Sequence, residues 1–322
     1  FVPPIQQALA QPRTPTDAEV VWHHQTHLPY EPWCTSCQAG KARGHYHIKV
    51  PPSEMALPIV QCHYTFWSND GSALKSDVVV IDKYRATPSL TCYDMKAGFS
   101  LAIVVAKKGP IGYAVASMRY FLEQLGHSHL VLRGDGENAL QSLLRAAKES
   151  VAATIKVDIQ ASPPGSHASI GGAEKFHDTL ASQVRTILHR AESKSGVVIA
   201  PTATMFPWAI RHANFLLSRF HLRTCGTTAF HAGTGAQVKV KLAEFGETVH
   251  CRLAEINSVG KSQPRWYKGT WVGLADANGA NLIMTSKGTS SVRSIQRFVE
   301  TERWDPACIL AGMGVPWAIH SA

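Results

Sequence analysis

Residues 131–174 constrain the fold of this chain more than any other stretch. A short apolar run ends at Gly134 and is followed at once by Asp135. Apolar residues then recur at helical spacing, a strand-like run covers residues 154–159, and a loop rich in Ser, Pro and Gly leads to Glu174 at the start of a second helical pattern. This alternation predicts an α/β unit, because such folds bring carboxylates that are distant in sequence to one edge of a sheet.

Asp135 and Glu174 are therefore candidate ligands of a divalent cation. A local interpretation is the alternative. An Asp-Gly pair after a strand is common in turns, and a glutamate in the first turn of a helix interacts favourably with the helix dipole. The spacing alone leaves both interpretations open.

The composition favours a polyanionic partner and disfavours a membrane. No apolar run approaches the ~18 residues that cross a bilayer. Since the sequence starts at Phe1 and has no signal peptide, we expect a piece of a longer protein. Residues 1–175 have 16 basic and 14 acidic side chains, whereas residues 176–322 have 16 and 9, so that +7 of the net charge of +9 lies in the second half. A positive second half suits a nucleic acid, and a basic surface that only confers solubility is the alternative.

A group of histidines and cysteines near the start has the spacing of a metal site. His23 and His27 are four residues apart, so that on a helix both imidazoles face the same way, and Cys34 and Cys37 form a CxxC pair. Two nitrogen and two sulfur ligands favour structural, tetrahedral Zn²⁺. His24 is an alternative to His23, and a redox-active CxxC is an alternative to zinc. Seven cysteines, an odd number, favour a reducing compartment over a disulfide framework.

The segment after this group predicts a sheet with strands in both directions. A basic run over residues 40–49 either contacts phosphates or is a solvated linker. Strand patterns then cover residues 59–67, 77–82, 89–93 and 101–106, and a helical pattern covers residues 110–126. An antiparallel start followed by helix, strand, helix, strand and helix gives a mixed sheet flanked by helices.

The last of these helices has two informative faces. Its core stripe is expected to consist of Phe176, Leu180, Val184, Ile187 and Ala191. A second face carries Glu174, Asp178, Ala181, Arg185 and His189. That face either presents a metal to a nucleic-acid backbone or is an ordinary solvated surface. Lys175, Arg185 and His189 are candidate DNA contacts.

The rest of the chain predicts a helix and a small β-rich region. Residues 203–223 form an amphipathic helix with Arg211, Arg219 and Arg223 on its outer side, and residues 224–247 are irregular. Strand patterns at residues 248–256, 269–274, 280–285 and 289–295 predict a small β-barrel with Arg265 and Lys268 on a basic, aromatic surface. A barrel that binds another protein is the alternative to one that binds DNA.

These motifs together resemble the integrase region of a copia-type LTR retrotransposon polyprotein. The similar segments extend from about His23 to Phe298 and include THLPYEPWC, GKARG, LRGDGENAL, GGAEKFHDTLASQVR, FPWAIRHANFLLSRF, GTTAF, FGETV and RWYKGTWVG. The resemblance implies a retroviral-type, RNase H-like core that performs polynucleotidyl transfer. It also implies that the second Asp and the Glu of the family's catalytic set fall on Asp135 and Glu174.

The first catalytic Asp of that family falls on His63 in this sequence. A neutral imidazole has one lone pair, cannot bridge two cations and adds no negative charge. Asp70 lies beyond the strand, and Asp82, at the end of the next strand pattern, is a poorly placed substitute. We expect His63 to point toward Asp135 and Glu174, with its pKa raised by their charge.

The resemblance supports three hypotheses. The first is a nuclear, homo-oligomeric DNA-integration protein that processes 3′ ends of retroelement DNA and joins them to target DNA, with structural Zn²⁺ and catalytic Mg²⁺ or Mn²⁺. The second is a decayed copy that only binds DNA, and the third is an RNase H-like nuclease. The expected organisation is a linker and zinc module (1–50), an RNase H-like core (51–195), a helix and connector (196–247), a small basic β-rich domain (248–300) and an unassigned tail (301–322).

Overall fold

The structure, a computed structural model, describes residues 11–41, 57–67, 87–162, 171–252, 262 and 264–319. Within these ranges the chain forms two five-stranded sheets. Two short helices, α1 (Asp17–Thr26) and α2 (Thr35–Lys41), precede the first sheet. The strand predicted at residues 77–82, most of the basic run at 40–49, Asp70 and Asp82 lie outside the described residues. None of the described helices has both the length and the apolar composition needed to cross a membrane.

The first sheet is mixed, as predicted. Its strands are β1 (Ile59–Trp67), β2 (Thr87–Asp94), β3 (Ser100–Val104), β4 (His129–Gly134) and β5 (Lys156–Ala161). They lie in the order β3-β2-β1-β4-β5, in which β1, β2 and β3 pair antiparallel while β4 and β5 run parallel to β1. The central strand β1 is buried over most of its length, in keeping with its apolar and aromatic composition. Its side chains alternate, so that Val60 and Cys62 face one layer of helices while Gln61 and His63 face the other.

Helices cover both faces of this sheet. One face packs against α3 (Gly112–Gln124) and α4 (Asn138–Ser150), and the other against α5 (Gly171–Ser195) and α6 (Phe206–Phe220). The predicted apolar stripes are confirmed as core residues: Leu140, Leu143, Leu144 and Ala147 of α4, and Phe176, Leu180, Val184, Ile187 and Ala191 of α5. Pro207 lies in the first turn of α6, where its missing N–H breaks no helical hydrogen bond.

The outer side of α6 differs from the prediction. Arg219 was expected in solvent, but it is only 8% exposed, because its guanidinium lies 4.1 Å from the Phe215 ring centroid and 3.7 Å from Asp276. Arg211 contacts the same carboxylate at 3.0 Å. The two arginines thus fasten α6 to the C-terminal region. The connector that was predicted to be irregular also contains a short helix, α7 (Ala229–Thr234).

The second sheet is antiparallel. Its strands are β6 (Thr248–Cys251), β7 (Tyr267–Leu274), β8 (Asn281–Thr285), β9 (Gly288–Val292) and β10 (Ile295–Arg297), in the order β10-β6-β7-β8-β9. A 3₁₀ turn at Glu300–Glu302 and a last helix, α8 (Pro306–Leu310), follow it. The predicted strands are present. The predicted barrel is not confirmed, since β9 and β10 lie at the two edges of the sheet as far as the chain is described.

The second sheet shares its hydrophobic core with α5 and α6. Trp271, Ile283 and Met284 are fully buried and belong to one cluster with residues of these helices. The pairing of β7 with β8 shifts at Gly273, where β7 faces α6. Glycine suits this position because its φ is +125° and because an added Cβ would lie 3.1 Å from His212 Nδ1. The buried face of the sheet therefore packs on a helix instead of closing around a core of its own.

Candidate metal and nucleic-acid sites

The four predicted zinc ligands converge: His23, His27, Cys34 and Cys37. One ligand atom from each lies within 4.8 Å of the others, and all four side chains are buried. Helix α1 carries the histidines. It begins with a capping box, in which the side chains of Thr16 and Glu19 accept from each other's backbone N–H groups, and it ends at His27 with φ of +53°. The CxxC pair lies at the start of α2. Two short helices joined by a turn are thus sufficient to assemble the cluster.

The contacts identify the ligand atoms. His23 Nε2 lies 3.3 Å from Cys37 Sγ, and His27 Nδ1 lies 3.5 Å from Cys34 Sγ. The opposite ring nitrogens of both histidines are buried and have no hydrogen-bond partner among the described residues. Two nitrogens and two sulfurs are a donor set that Zn²⁺ prefers, so the residues present fit this ion. His24 is not part of the cluster, which favours His23 over His24 as the ligand.

Burial and mutual contacts set the protonation of this cluster. Burial lowers the pKa of His27 to about 4, so that its ring is neutral and offers a lone pair. A hydrogen bond with Cys37, and further ones with the neighbouring histidines, hold the pKa of Cys34 well below its usual range. The same contact with Cys34, together with burial, raises the pKa of Cys37. The cluster therefore combines neutral imidazole with a thiolate, the protonation states in which these side chains bind a metal.

The zinc-type cluster is docked on α5. Gln183 donates a hydrogen bond to the carbonyl of Thr26 at 2.6 Å. Gly40 of α2 packs so closely on α5 that an added Cβ would overlap Thr186 Oγ1 and lie 2.9 Å from the Thr186 backbone nitrogen. Only glycine at position 40 permits this approach without displacement of the helix.

Two predicted DNA contacts belong to the same junction. Arg185 Nη2 donates to the carbonyl of Gly40 at 3.4 Å, and His189 Nδ1 lies 3.1 Å from the Ser36 hydroxyl. Both side chains therefore contact α2, although each is still exposed on its other side. Their assignment to DNA stays a prediction, and their observed partners are in the zinc module.

The parallel pairing of β1 and β4 determines the surroundings of Asp135. The ladder ends with Cys62 opposite Gly134, so that His63 and Asp135 each follow its last pair in their own segments. Asp135 follows β4 directly, and its Oδ1 accepts from the backbone N–H of Glu137 at 3.1 Å. This turn fixes the carboxylate at the end of β4.

The first turn of α5 lies on the same strand. Gln61 Oε1 accepts from the backbone N–H of Ala173 at 3.0 Å, and the half-buried Glu174 follows in the helix. The loop before it, residues 163–170, lies outside the described residues. The structure therefore brings the turn that carries Glu174 to the strand that carries His63.

His63 is buried and neutral. It is 7% exposed, its ring packs edge-on against His177 at a centroid distance of 5.8 Å, and its Nε2 has no hydrogen-bond partner in the described parts of the chain. Burial, and to a lesser extent His177, lower the pKa of His63 to about 4. The expected rise in pKa is wrong, because the loss of water around the ring dominates, and neither Asp135 nor Glu174 is among the groups that shift it.

His177 is a neighbour that the sequence interpretation missed. Its Nδ1 lies 3.3 Å from Thr65 Oγ1, and its ring centroid lies 5.2 Å from that of Trp67. The sequence feature that could have identified His177 is its position three residues after Glu174, because this spacing places the two side chains on one side of the helix. The sequence interpretation divided α5 into a core stripe and a second face with Glu174, Asp178 and Arg185. His177 belongs to neither group and was therefore missed.

His63, Asp135 and Glu174 do not make a convergent cation site as the chain stands. Among the described residues, the zinc-type cluster is the one group of three or more His, Cys, Asp or Glu ligand atoms close enough to hold an ion. His63 also offers nitrogen at a place where a hard cation requires oxygen. These residues do not fit Mg²⁺, and the assignment of Asp135 and Glu174 as its ligands stays a prediction.

The remaining candidate DNA contacts lie on two separate surfaces. Lys175 is exposed on the first turns of α5, and Arg265 is exposed just before β7. Lys268 lies 3.7 Å from Asp305 and 5.1 Å from the Phe298 ring centroid, so part of its charge is already compensated. Arg265 is therefore the better candidate for an unshielded phosphate contact.

Comparison with known proteins gives weak structural similarity. No family model and no curated protein matches the chain. A cryo-EM structure of the simian T-cell lymphotropic virus intasome, in complex with PP2A regulatory subunit B56 gamma, is 14% identical, covering 77% of this chain and 84% of that one, with a TM-score of 0.37. The HTLV-2 integrase catalytic core domain in complex with magnesium, in its trimeric form, is 13% identical, covering 56% and 99%, with a TM-score of 0.36. The catalytic core domain of BIV integrase is 15% identical, covering 54% and 92%, with a TM-score of 0.33. Function must therefore be inferred from the geometry of this chain.

Proposed function

We propose that this chain is an integrase-type protein of a copia-type retroelement, with an RNase H-like core that acts on DNA. The observation that carries the proposal is the register of β1 and β4, whose last pair, Cys62 and Gly134, directly precedes His63 and Asp135 in the two segments. The first turn of α5, which carries Glu174, is fastened to the same strand. The mixed five-stranded sheet and the helices on both its faces support the core that the sequence resemblance implies.

The N-terminal cluster is proposed to hold one structural Zn²⁺ through His23, His27, Cys34 and Cys37. A bound Zn²⁺ would supply a four-way cross-link and no reactivity, because all four ligand positions are protein side chains. The chain's own contribution is to keep the cluster buried and to dock it on α5. The module would therefore stabilise the helix that carries Glu174.

The reaction class is polynucleotidyl transfer, in which water or a DNA 3′-hydroxyl attacks a phosphodiester in line. This reaction requires oxygen ligands and negative charge around the cations that stabilise the transition state. His63, buried and neutral, supplies neither. We therefore expect the chain to bind DNA and to show little or no strand transfer with Mg²⁺, so that a copy that only binds DNA is the second candidate.

DNA is the proposed partner because +7 of the net charge lies in residues 176–322. The substrates would be the ends of the element's DNA and a target duplex. A homo-oligomer and a nuclear location follow from this function as part of the same proposal, since both ends of an element must be joined to chromosomal DNA.

The test is to replace His63 with a carboxylate. His63→Asp, with His63→Asn as the control of similar size and no charge, is assayed for end processing and strand transfer with Mg²⁺ and with Mn²⁺. A third oxygen ligand contributes several kcal/mol of charge stabilisation, so we expect a gain of about 100-fold or more for His63→Asp alone. Circular dichroism confirms that both variants fold.

Four outcomes decide between the hypotheses. Restored joining supports the integrase proposal, whereas cleavage without joining indicates a nuclease. Robust Mg²⁺-dependent joining by the unaltered chain would contradict the role given to His63. Duplex binding without activity in any variant leaves a DNA-binding copy as the function.

A further inference from the structure

A cavity of about 320 Å³ lies beside α5, away from Glu174. Helix positions 172, 175, 176 and 179 face it, whereas position 174 lies roughly opposite on a helix with 3.6 residues per turn. The other walls come from the end of β2, the turn between β2 and β3, the end of α6 and the segment after α6. Neither Asp135 nor His63 lines the cavity, which is thus distinct from the edge of the sheet where β4 ends.

The cavity has a cationic rim. Lys175 and Arg223 both line it, and no carboxylate does. Arg223 Nη2 donates to the carbonyl of Lys96 at 3.2 Å, which fixes the guanidinium without neutralising its charge. Neither cation has a carboxylate within ion-pair distance in the part of the chain that the structure describes. Two such charges at the mouth of one cavity favour an anion.

The walls of the cavity are aromatic and apolar. Tyr93 and Phe176 stack with ring centroids 5.1 Å apart and planes inclined by 20°. Met95, Leu217 and Ala229 add apolar lining, and Ser100, Thr179 and His221 add polar groups. Ligand cavities typically combine such walls with a few polar groups that orient the ligand. A free phosphate would leave these walls in contact with water, whereas the planar base of a nucleotide would cover them.

We propose that this cavity binds one unpaired nucleotide of a DNA strand, with the base against the Tyr93 and Phe176 wall and the phosphate between Lys175 and Arg223. A volume of about 320 Å³ admits a single nucleotide and excludes a duplex. The proposal rests on the integrase-type function for its choice of DNA. It adds a nucleotide subsite on the other side of the helix that carries Glu174.

The test uses fluorescence anisotropy to measure the binding of a labelled oligothymidylate over a range of salt concentrations. The probe has about eight nucleotides, because single-strand binding sites typically cover ~4–16 nucleotides. The cavity variant is Lys175→Gln with Arg223→Gln. The control is Lys194→Gln with Arg145→Gln, which removes the same charge from exposed positions on α5 and α4. We expect the cavity variant to bind about tenfold more weakly at low salt, with the salt slope reduced by about 0.7 for the one phosphate that the two cations share. An equal loss in the control would overturn the proposal.

Two further measurements separate the ligand classes. Thr179→Phe places a ring in the cavity without changing charge and should weaken oligothymidylate binding by a similar factor; unchanged binding would overturn the proposal. Thymidine monophosphate should displace the oligonucleotide at lower concentration than inorganic phosphate does. Equal competition by the two would show that only the phosphate is bound, and would also overturn it.

Duplex binding by the same variants separates this inference from the proposed function. If Thr179→Phe loses oligothymidylate and keeps most of its affinity for duplex ends, the nucleotide subsite is supported. If the unaltered chain binds duplex ends but not oligothymidylate, the subsite fails and the proposed function stands. If it binds oligothymidylate but no duplex, the proposed function fails and the nucleotide subsite stands.

Discussion

The zinc-type cluster and the carboxylate edge are two candidate metal sites with opposite outcomes. The cluster brings four buried ligands to one point, and among them the neutral His27 and the Cys34 thiolate have protonation states that suit a metal. At the edge, His63 and Asp135 follow the last pair of the β1–β4 ladder, yet they form no convergent set of three with Glu174. The zinc-type cluster has four ligands, whereas the carboxylate edge has the supporting strands but lacks a third oxygen ligand.

The two regions differ in what holds them together. If the cluster holds zinc as proposed, the module folds together with its metal, so the loss of one ligand would remove much of its stability. The edge is held by a sheet and by the core of α5, neither of which depends on a cation. A histidine in β1 is therefore compatible with the fold, whatever it does to the proposed reaction.

The largest effect is expected from removing zinc. Cys34→Ser with Cys37→Ser should abolish stoichiometric zinc and unfold the module, since structural zinc contributes about 10–16 kcal/mol in isolated zinc-finger peptides. Elemental analysis of the purified protein and thermal unfolding measure both effects. Cys225→Ser, at the one fully exposed cysteine, is the control and should change neither. Zinc retained in the double variant would show that the four ligands are wrongly assigned.

The next effect concerns pH and His63. Its pKa is about 4 in the folded chain and 6.5 in the unfolded one, so the unfolded state binds more protons between these values. The stability that depends on a neutral His63 is therefore fully present above pH 6.5. Up to about 3 kcal/mol of it is lost as the pH falls toward 4. Urea unfolding of the unaltered chain and of His63→Asn over this range isolates the contribution of His63. Parallel pH profiles for the two proteins would contradict a buried, neutral His63.

A smaller effect is expected at the contact between α2 of the zinc module and α5. Gly40→Ala introduces a Cβ that overlaps Thr186 Oγ1, so α2 must move away from α5 at a cost of about 1–3 kcal/mol. The free energy of unfolding by urea measures this loss. Gly136→Ala, where an added Cβ meets nothing within 4 Å, is the matched control. Equal stabilities of the two variants would show that the zinc module is not docked as described.

The smallest effect is expected for a single surface charge. Arg265→Gln removes one exposed cation and should lower the salt slope of duplex binding by about 0.9 without changing stability. Lys268→Gln should change the slope less, because its ammonium lies 3.7 Å from Asp305. Fluorescence anisotropy over a salt series measures both slopes. A larger change for Lys268 than for Arg265 would reverse the assignment of the DNA-facing cation.

Local spacing predicted much of this molecule from the sequence. The four zinc ligands lie within one helix, one turn and the start of the next helix, so a pattern of i, i+4 and CxxC determines them. The core stripes of α4 and α5 follow from helical periodicity alone. The mixed sheet was also predictable, because consecutive strands at the start are followed by strands that alternate with helices.

The misses at Arg219 and His63 involve contacts with distant segments. Arg219 was assigned to solvent because the sequence does not show that Phe215 and Asp276 enclose it. His63 was assigned a raised pKa because the carboxylates were visible in the sequence, whereas its burial under α5 beside His177 was not. Desolvation depends on what covers a group, and periodicity does not give that information.

The shared core of α6 and the second sheet limits how this chain can be divided. Trp271, Ile283 and Met284 fill the space against α6, so a chain that stops before Thr248 would leave an apolar helix face in water. Such a shortened protein would lose DNA affinity because it aggregates or unfolds, whether or not the missing residues contact DNA. The two sheets are therefore coupled through the helices between them, and we expect a chimera with a joint inside residues 171–309 to be destabilised.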